Sequence, residues 1–132
     1  MYKKIYQYLS GLFYACVFLS MSVAIGHAVD VAADKTSYEN TIVCSSLFLT
    51  ASVIDEENGD VEGAKTYQDI GSILLQGAFM LSPEKEKQEV EAEIKTTMLT
   101  MLSLHEKNPT DFQLMVLEYG SECVKLAEKF LQ

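Results

Sequence analysis

From residue 37 to residue 132, apolar residues recur at steps of three and four in four successive runs. That period belongs to a helix, not a strand. In the first run, 37–57, the apolar positions are Tyr38, Ile42, Val43, Cys44, Leu47, Phe48, Leu49, Ala51, Val53 and Ile54. They cover most of a helix circumference, so this helix is expected to be heavily buried. Asn58-Gly59-Asp60 ends it: Gly59 suits the left-handed residue that terminates a helix, and Asp60 suits the cap of the next.

The second run, 61–81, places Val61, Ala64, Tyr67, Gly71, Leu74, Ala78 and Leu81 on one face. Gly63, Gly71 and Gly77 interrupt it, each costing about 1 kcal/mol relative to Ala. Close helix–helix approach is the expected compensation. Ser82-Pro83-Glu84 has the composition of a helix start and predicts a third helix reaching about Lys107. Its first half is mostly charged, with Val90 and Ile94 inward. Its second half is apolar, through Met98, Leu99, Met101, Leu102 and Leu104. Asn108-Pro109 breaks the pattern again, and Thr110 with Gln113 has capping-box spacing. Phe112, Val116, Tyr119, Cys123, Leu126 and Phe130 then form one unbroken line along a fourth helix.

Four helices with short connections predict an all-α fold, an up-down-up-down four-helix bundle over residues 37–132. Residues 29–36 are small, polar and unpatterned, and read as a flexible lead. Cys44 lies ~10 Å from the start of the first helix, and Cys123 ~12 Å from the end of the fourth, at 1.5 Å per residue. Antiparallel first and last helices bring the two thiols level, which predicts a Cys44–Cys123 disulfide. The chain-entropy model gives about 4–5 kcal/mol of stabilisation for so long a loop.

Upstream of the bundle the pattern changes character. Lys3 and Lys4 precede an uncharged, largely apolar run from Ile5 to Ile25, and Gly26-His27-Ala28 follows. This reads as a cleavable signal peptide over residues 1–28, with the cut between Ala28 and Val29. An uncleaved membrane anchor through residues 5–25 is the alternative, since ~20 apolar residues span a bilayer. Cleavage leaves the protein in the periplasm or outside the cell, where an isolated cysteine pair oxidises. Cys16 and His27 leave with the signal, and Cys16 follows residues too bulky for a lipoprotein site.

All 19 acidic residues follow residue 28, so losing Lys3 and Lys4 takes the net charge from −9 to −11. There is no Arg. Such a surface repels phosphate backbones and anionic lipid, which excludes nucleic acid as a partner and, once the signal is removed, a membrane. A basic protein partner fits better, and the near-continuous apolar surface of the first helix leaves self-association open.

The candidate chemistry is sparse. Met98, Met101 and His105 share one face of the third helix, a soft donor set suited to copper(I), with Met80 or Met115 able to complete it. His and Met could also ligate haem, but there is no CxxCH. Asp55-Glu56-Glu57-Asn58-Gly59-Asp60 is rich in carboxylates. An EF-hand would put Ile54 at its first ligand position, so calcium is not expected there. No CxxC, Ser-His-Asp or Cys-His set is available. The expectation is a non-catalytic protein-interaction module of the inhibitor, adaptor or chaperone type, with no cofactor. A small-ligand, copper or haem carrier is the alternative.

Overall fold

The structure, a computed structural model, describes residues 35–132, with side chains from Ser37 onward. The signal segment 1–28, its Ala28–Val29 junction and residues 29–34 of the lead lie outside the described residues. The described chain is all-helical: α1 (Lys35–Glu57), α2 (Val61–Leu81), α3 (Lys87–Lys107) and α4 (Pro109–Leu131), with no strand among the described residues. Lys35 and Thr36 belong to the first turn of α1 rather than to the lead.

The expected burial of the first helix is present and goes further than its apolar residues. Every residue from Cys44 to Ile54 is buried, which is about three turns of helix. The run includes Ser45, Ser46, Thr50 and Ser52, and Thr41 is buried just before it. Buried hydroxyls need partners, since an unbonded one costs roughly 1–3 kcal/mol. Here Thr41 Oγ1 donates to the Ser37 carbonyl at 2.6 Å, and Ser46 Oγ to that of Ile42 at 2.7 Å. Ser45 Oγ donates to the Gly71 carbonyl (2.9 Å), Ser52 Oγ to that of Ala64 (2.7 Å), and Thr50 Oγ1 to Met101 Sδ (4.0 Å). Small hydroxyl side chains therefore let neighbouring backbones come close to α1 without leaving a polar atom unmet.

The same bonds set the packing. α1 lies against all three other helices and most extensively against α2, while α2 and α3 scarcely meet. Seven residues forward along α1, from Ser45 to Ser52, correspond to seven residues back along α2, from Gly71 to Ala64. Against α3 the numbering rises together, from Tyr38 opposite Glu93 to Thr50 opposite Met101. Two glycines of α2 stand at close approaches, as expected. A Cβ on Gly71 would lie 2.7 Å from Leu49 Cδ2, and one on Gly77 would enter the Phe130 ring.

Gly59 takes φ +85° and ends α1, and Asp60 caps α2 by accepting from the Gly63 N–H at 2.9 Å. The other two junctions differ from expectation. Ser82 does not start the third helix. Its N–H is used in ending α2, bonded to the Phe79 carbonyl, and its own carbonyl accepts from Lys85 N. Pro83 therefore falls at the second position of a turn, which its fixed φ suits, and α3 begins only after Glu86. At the last junction the cap is Asn108, not Thr110. Its Oδ1 accepts from Asp111 N at 3.2 Å and Pro109 occupies the first turn, so one residue joins α3 to α4. Asn is among the best caps and Pro suits the first helical position, so the helix starts as soon as both are available.

Three residues expected inside are largely outside: Val43, Val61 and Tyr119. Val61 sits in the first turn of α2, beyond the end of the core. On α4 the inward positions are Phe112, Cys123 and Ala127, flanked by the half-buried Val116, Gly120 and Phe130. The buried line drifts round the helix, and Gly120 takes the place expected of Tyr119.

Candidate functional site

At one end of the bundle the last turns of α1 and α3 meet the first turns of α4 around a cleft of about 240 Å³. Its polar lining comes from Asp55 and Asn58 of α1 and its end, Tyr67 of α2, His105 of α3 and Gln113 of α4. Ile54, Phe112 and Val116 supply the apolar part. The His105 ring packs edge-on against Phe112, with centroids 5.5 Å apart. Its Nδ1 is buried and has no hydrogen-bond partner. Tyr67 is held by stacking on Phe48, with centroids 5.6 Å apart.

Asp55 and Tyr67 also belong to an open recess next to the cleft, lined by Asp60, Glu62, Gly63 and Thr66. The Oδ2 atoms of Asp55 and Asp60 both lie within 2.7 Å of the point a Gly63 Cβ would occupy, so they crowd one spot. Burial raises the Asp55 pKa above the ordinary carboxylate value, and the charge of Asp60 raises it further. No lysine lines either depression.

A second feature is the outer face of α4. Leu117 is 73% exposed, Leu114 56% and Tyr119 54%, and Leu131 is also largely exposed. The exposed acids Asp111, Glu118 and Glu122 lie among the first three. At the opposite end of α1, Tyr38 OH donates to Glu93 Oε2 at 3.0 Å, and Lys85 Nζ pairs with Glu93 Oε1 at 2.5 Å. Lys85 Nζ also stands 4.5 Å from the Tyr38 ring centroid. Burial and the Glu93 carboxylate raise the Tyr38 pKa. This cluster ties α1 to the charged first half of α3.

The predicted disulfide is present: Cys44 and Cys123 are bonded, both buried, with Cα atoms 5.3 Å apart. The three candidate metal ligands fall in different surroundings. Met98 is fully buried in the core, Met101 is buried and accepts from Thr50, and His105 lines the cleft, whose walls include no methionine. Among the described residues no three His, Cys, Asp or Glu side chains are grouped to hold a metal ion. No described helix is long and apolar enough to cross a membrane.

The sequence pattern did not single out the cleft residues Asp55, Tyr67 and Gln113 as a group, because they come from three helices. The exposed face of α4 did leave a signal. Leu114 and Leu117 stand off the line through Phe112, Val116 and Cys123, on a second apolar stripe. Comparisons with protein-family models, curated proteins and solved structures find no match to this chain.

Proposed function

We propose that the protein is an exported, non-catalytic interaction module that binds a basic amphipathic segment of another protein through the outer face of α4. The observation that carries this reading is the set of exposed Leu114, Leu117 and Tyr119, interleaved with Asp111, Glu118 and Glu122. Leu114 and Leu117, one turn apart on the same stripe, are exposed apolar side chains of the kind that bury on association, while Tyr119 lies across the acids on the far side of the exposed surface. Interleaved acids favour a partner whose apolar residues alternate with Lys or Arg. The net charge, −11 once residues 1–28 are removed, extends that preference over the whole surface and opposes self-association.

Export rests on the Lys3-Lys4 start, the apolar run to Ile25 and the small residues before Val29. An intramolecular disulfide fits an oxidising compartment. In this reading the mature chain begins at Val29 and its helices run alternately up and down, a course the α1–α2 and α1–α3 bond registers support. The disulfide pins α4, the helix that carries the binding face, to the buried centre of the domain.

Crosslinking in the native host followed by capture of the mature chain tests the proposal. Wild type should retain a partner with a basic amphipathic segment, and the L114E/L117E double variant should lose it while keeping its helical circular dichroism. Equal capture by both forms would remove α4 as the binding face. N-terminal sequencing of the captured protein should begin at Val29.

A further inference from the structure

We propose that Asn58 is a deamidation site, a neutral amide that the chain itself converts to aspartate and isoaspartate when the α1–α2 turn opens. The chain has three asparagines, and the residue after each decides its reactivity. The reaction requires the following backbone nitrogen to attack the side-chain carbonyl carbon. After Asn108 comes Pro109, which has no N–H to give up. After Asn40 comes Thr41, buried within α1 and β-branched, so its own side chain crowds the approach. After Asn58 comes Gly59, which is exposed and has no side chain. Even a Cβ built there would meet nothing within 4 Å.

The closed turn restrains this pair. Gly59 N–H donates to the Glu56 carbonyl at 3.1 Å, and Asp60 N–H to the Asp55 carbonyl at 2.9 Å. Two such bonds around a left-handed glycine, here at φ +85°, close a helix end. The Gly59 nitrogen is therefore committed to Glu56 while the turn is shut. Residues 56–60 are all exposed, and exposed backbone bonds at the end of an element open locally, without global unfolding. In the opened turn, base removes the Gly59 N–H proton and the nitrogen's electron pair forms a bond to Asn58 Cγ. The Cγ–Nδ2 bond breaks, and Nδ2 leaves as ammonia with a proton from solvent. Water then opens the succinimide ring. Cleaving the new bond to Cγ leaves aspartate; cleaving the original peptide bond leaves isoaspartate. One water is consumed and one ammonia released, with no change of oxidation state. Either product puts a carboxylate where Asn58 now lines the cleft beside Asp55. Burial and the Asp60 charge already raise the Asp55 pKa, so the added charge works against reclosing the turn. Isoaspartate also adds a methylene to the backbone, which shifts the Gly59 and Asp60 N–H groups off their acceptors. The site shares no residue with the exposed leucines of α4, so it stands or falls independently of the proposed partner face.

The test incubates the folded, disulfide-intact chain at neutral and mildly alkaline pH, beside the same chain unfolded in guanidinium. Peptide mapping by mass spectrometry and enzymatic methylation of isoaspartate read the product. Conversion should be confined to the peptide holding Asn58 and should accelerate with hydroxide concentration. The folded chain should react more slowly than the unfolded chain by roughly ten- to a thousand-fold, the range of a local opening. Hydrogen exchange measures that opening independently: protection of the Gly59 N–H should match the slowing within about threefold. Asn58→Gln keeps a side-chain amide but requires a larger ring, so it should stay unmodified with unchanged circular dichroism. Equal conversion at Asn40 or Asn108, or conversion of residue 58 in Asn58→Gln, would overturn the site. So would a folded chain still intact after roughly ten times the period that the Gly59 protection predicts. A folded chain that reacts as fast as the unfolded chain, despite a protected Gly59 N–H, would overturn control by the turn.

Discussion

Breaking the Cys44–Cys123 bond should cost this domain a large share of its stability, and the cost can be worked from the structure. The bond spans 79 positions of sequence. In the chain-entropy model a loop of that length restricts the unfolded chain by about 15 cal/mol/K, or about 4.5 kcal/mol at 25 °C. Domains of this size generally have only 5–15 kcal/mol to lose. A destabilisation of 1 kcal/mol moves Tm by roughly 4–8 °C at this length, so the melting temperature should fall by about 20 °C or more. The structure also indicates where the loss begins. α4 keeps only Phe112, Cys123 and Ala127 fully buried, whereas α1 is buried through three consecutive turns. The reduced domain should lose amide protection first along α4. The assay compares oxidised protein, reduced protein and the C44A/C123A variant by thermal circular dichroism and hydrogen exchange. Alanine is preferred to serine because both sites are buried and a serine would add a hydroxyl needing a partner. Melting within about 2 °C of the oxidised form, well inside the predicted shift, would refute the entropic argument. Early loss of protection in α1 rather than α4 would refute the packing argument.

Three further perturbations follow from two glycines and one acid. Gly71→Ala should destabilise by about 1–3 kcal/mol, because its Cβ would meet Leu49 Cδ2 at 2.7 Å and Leu49 N at 3.2 Å. Gly120→Ala, in open space within α4, should stabilise by roughly 0.5–1 kcal/mol through helix propensity; urea midpoints read both, and equal effects would mean that close packing is not what selects Gly71. Asp55 should make stability depend on pH. Its folded pKa lies above the ordinary 3.8, so the folded state holds the proton more tightly. Its contribution is full below 3.8 and is lost as pH rises through the folded value. Asp55→Asn should flatten that decline and raise the urea midpoint at neutral pH. A variant whose midpoint follows the wild-type pH curve would show that Asp55 is not strained.

Helix number, the α2 boundaries and the disulfide were legible in the sequence for a common reason: each depends on spacing along one chain. Val61–Leu81 is bounded on one side by Gly59-Asp60 and on the other by Ser82-Pro83, all strong local signals. The α2–α3 junction was misread because Ser82-Pro83 serves equally as a helix start or as a turn after a helix end. Only the bond from Ser82 N to the Phe79 carbonyl decides between them. Tyr119 was misplaced because a perfect four-three line looks inward on paper. A helix attached along a narrow strip lets the buried line drift by one residue, to Gly120 and Ala127 in place of Tyr119 and Leu126.

What the periodicity could not carry is the asymmetry of the assembly. Four helices of similar length suggest four equivalent members, each with one wet face. Here α1 takes the centre, and the residues that allow it are its serines and threonines. Their apolar content is low, so a hydrophobic count passes over them. Yet Ser45, Ser46, Thr50 and Ser52 are small, fully buried and bonded to acceptors on their own helix or on α2 and α3. Putting α1 at the centre leaves α4 with three buried residues, Phe112, Cys123 and Ala127, one of them a partner in the disulfide. An edge helix pinned in this way can keep apolar residues exposed without unfolding to hide them. Its first turns, meeting the ends of α1 and α3, also form a cleft that no single helix pattern contains. The proposed partner face therefore has a structural cause, the central position of a hydroxyl-rich helix.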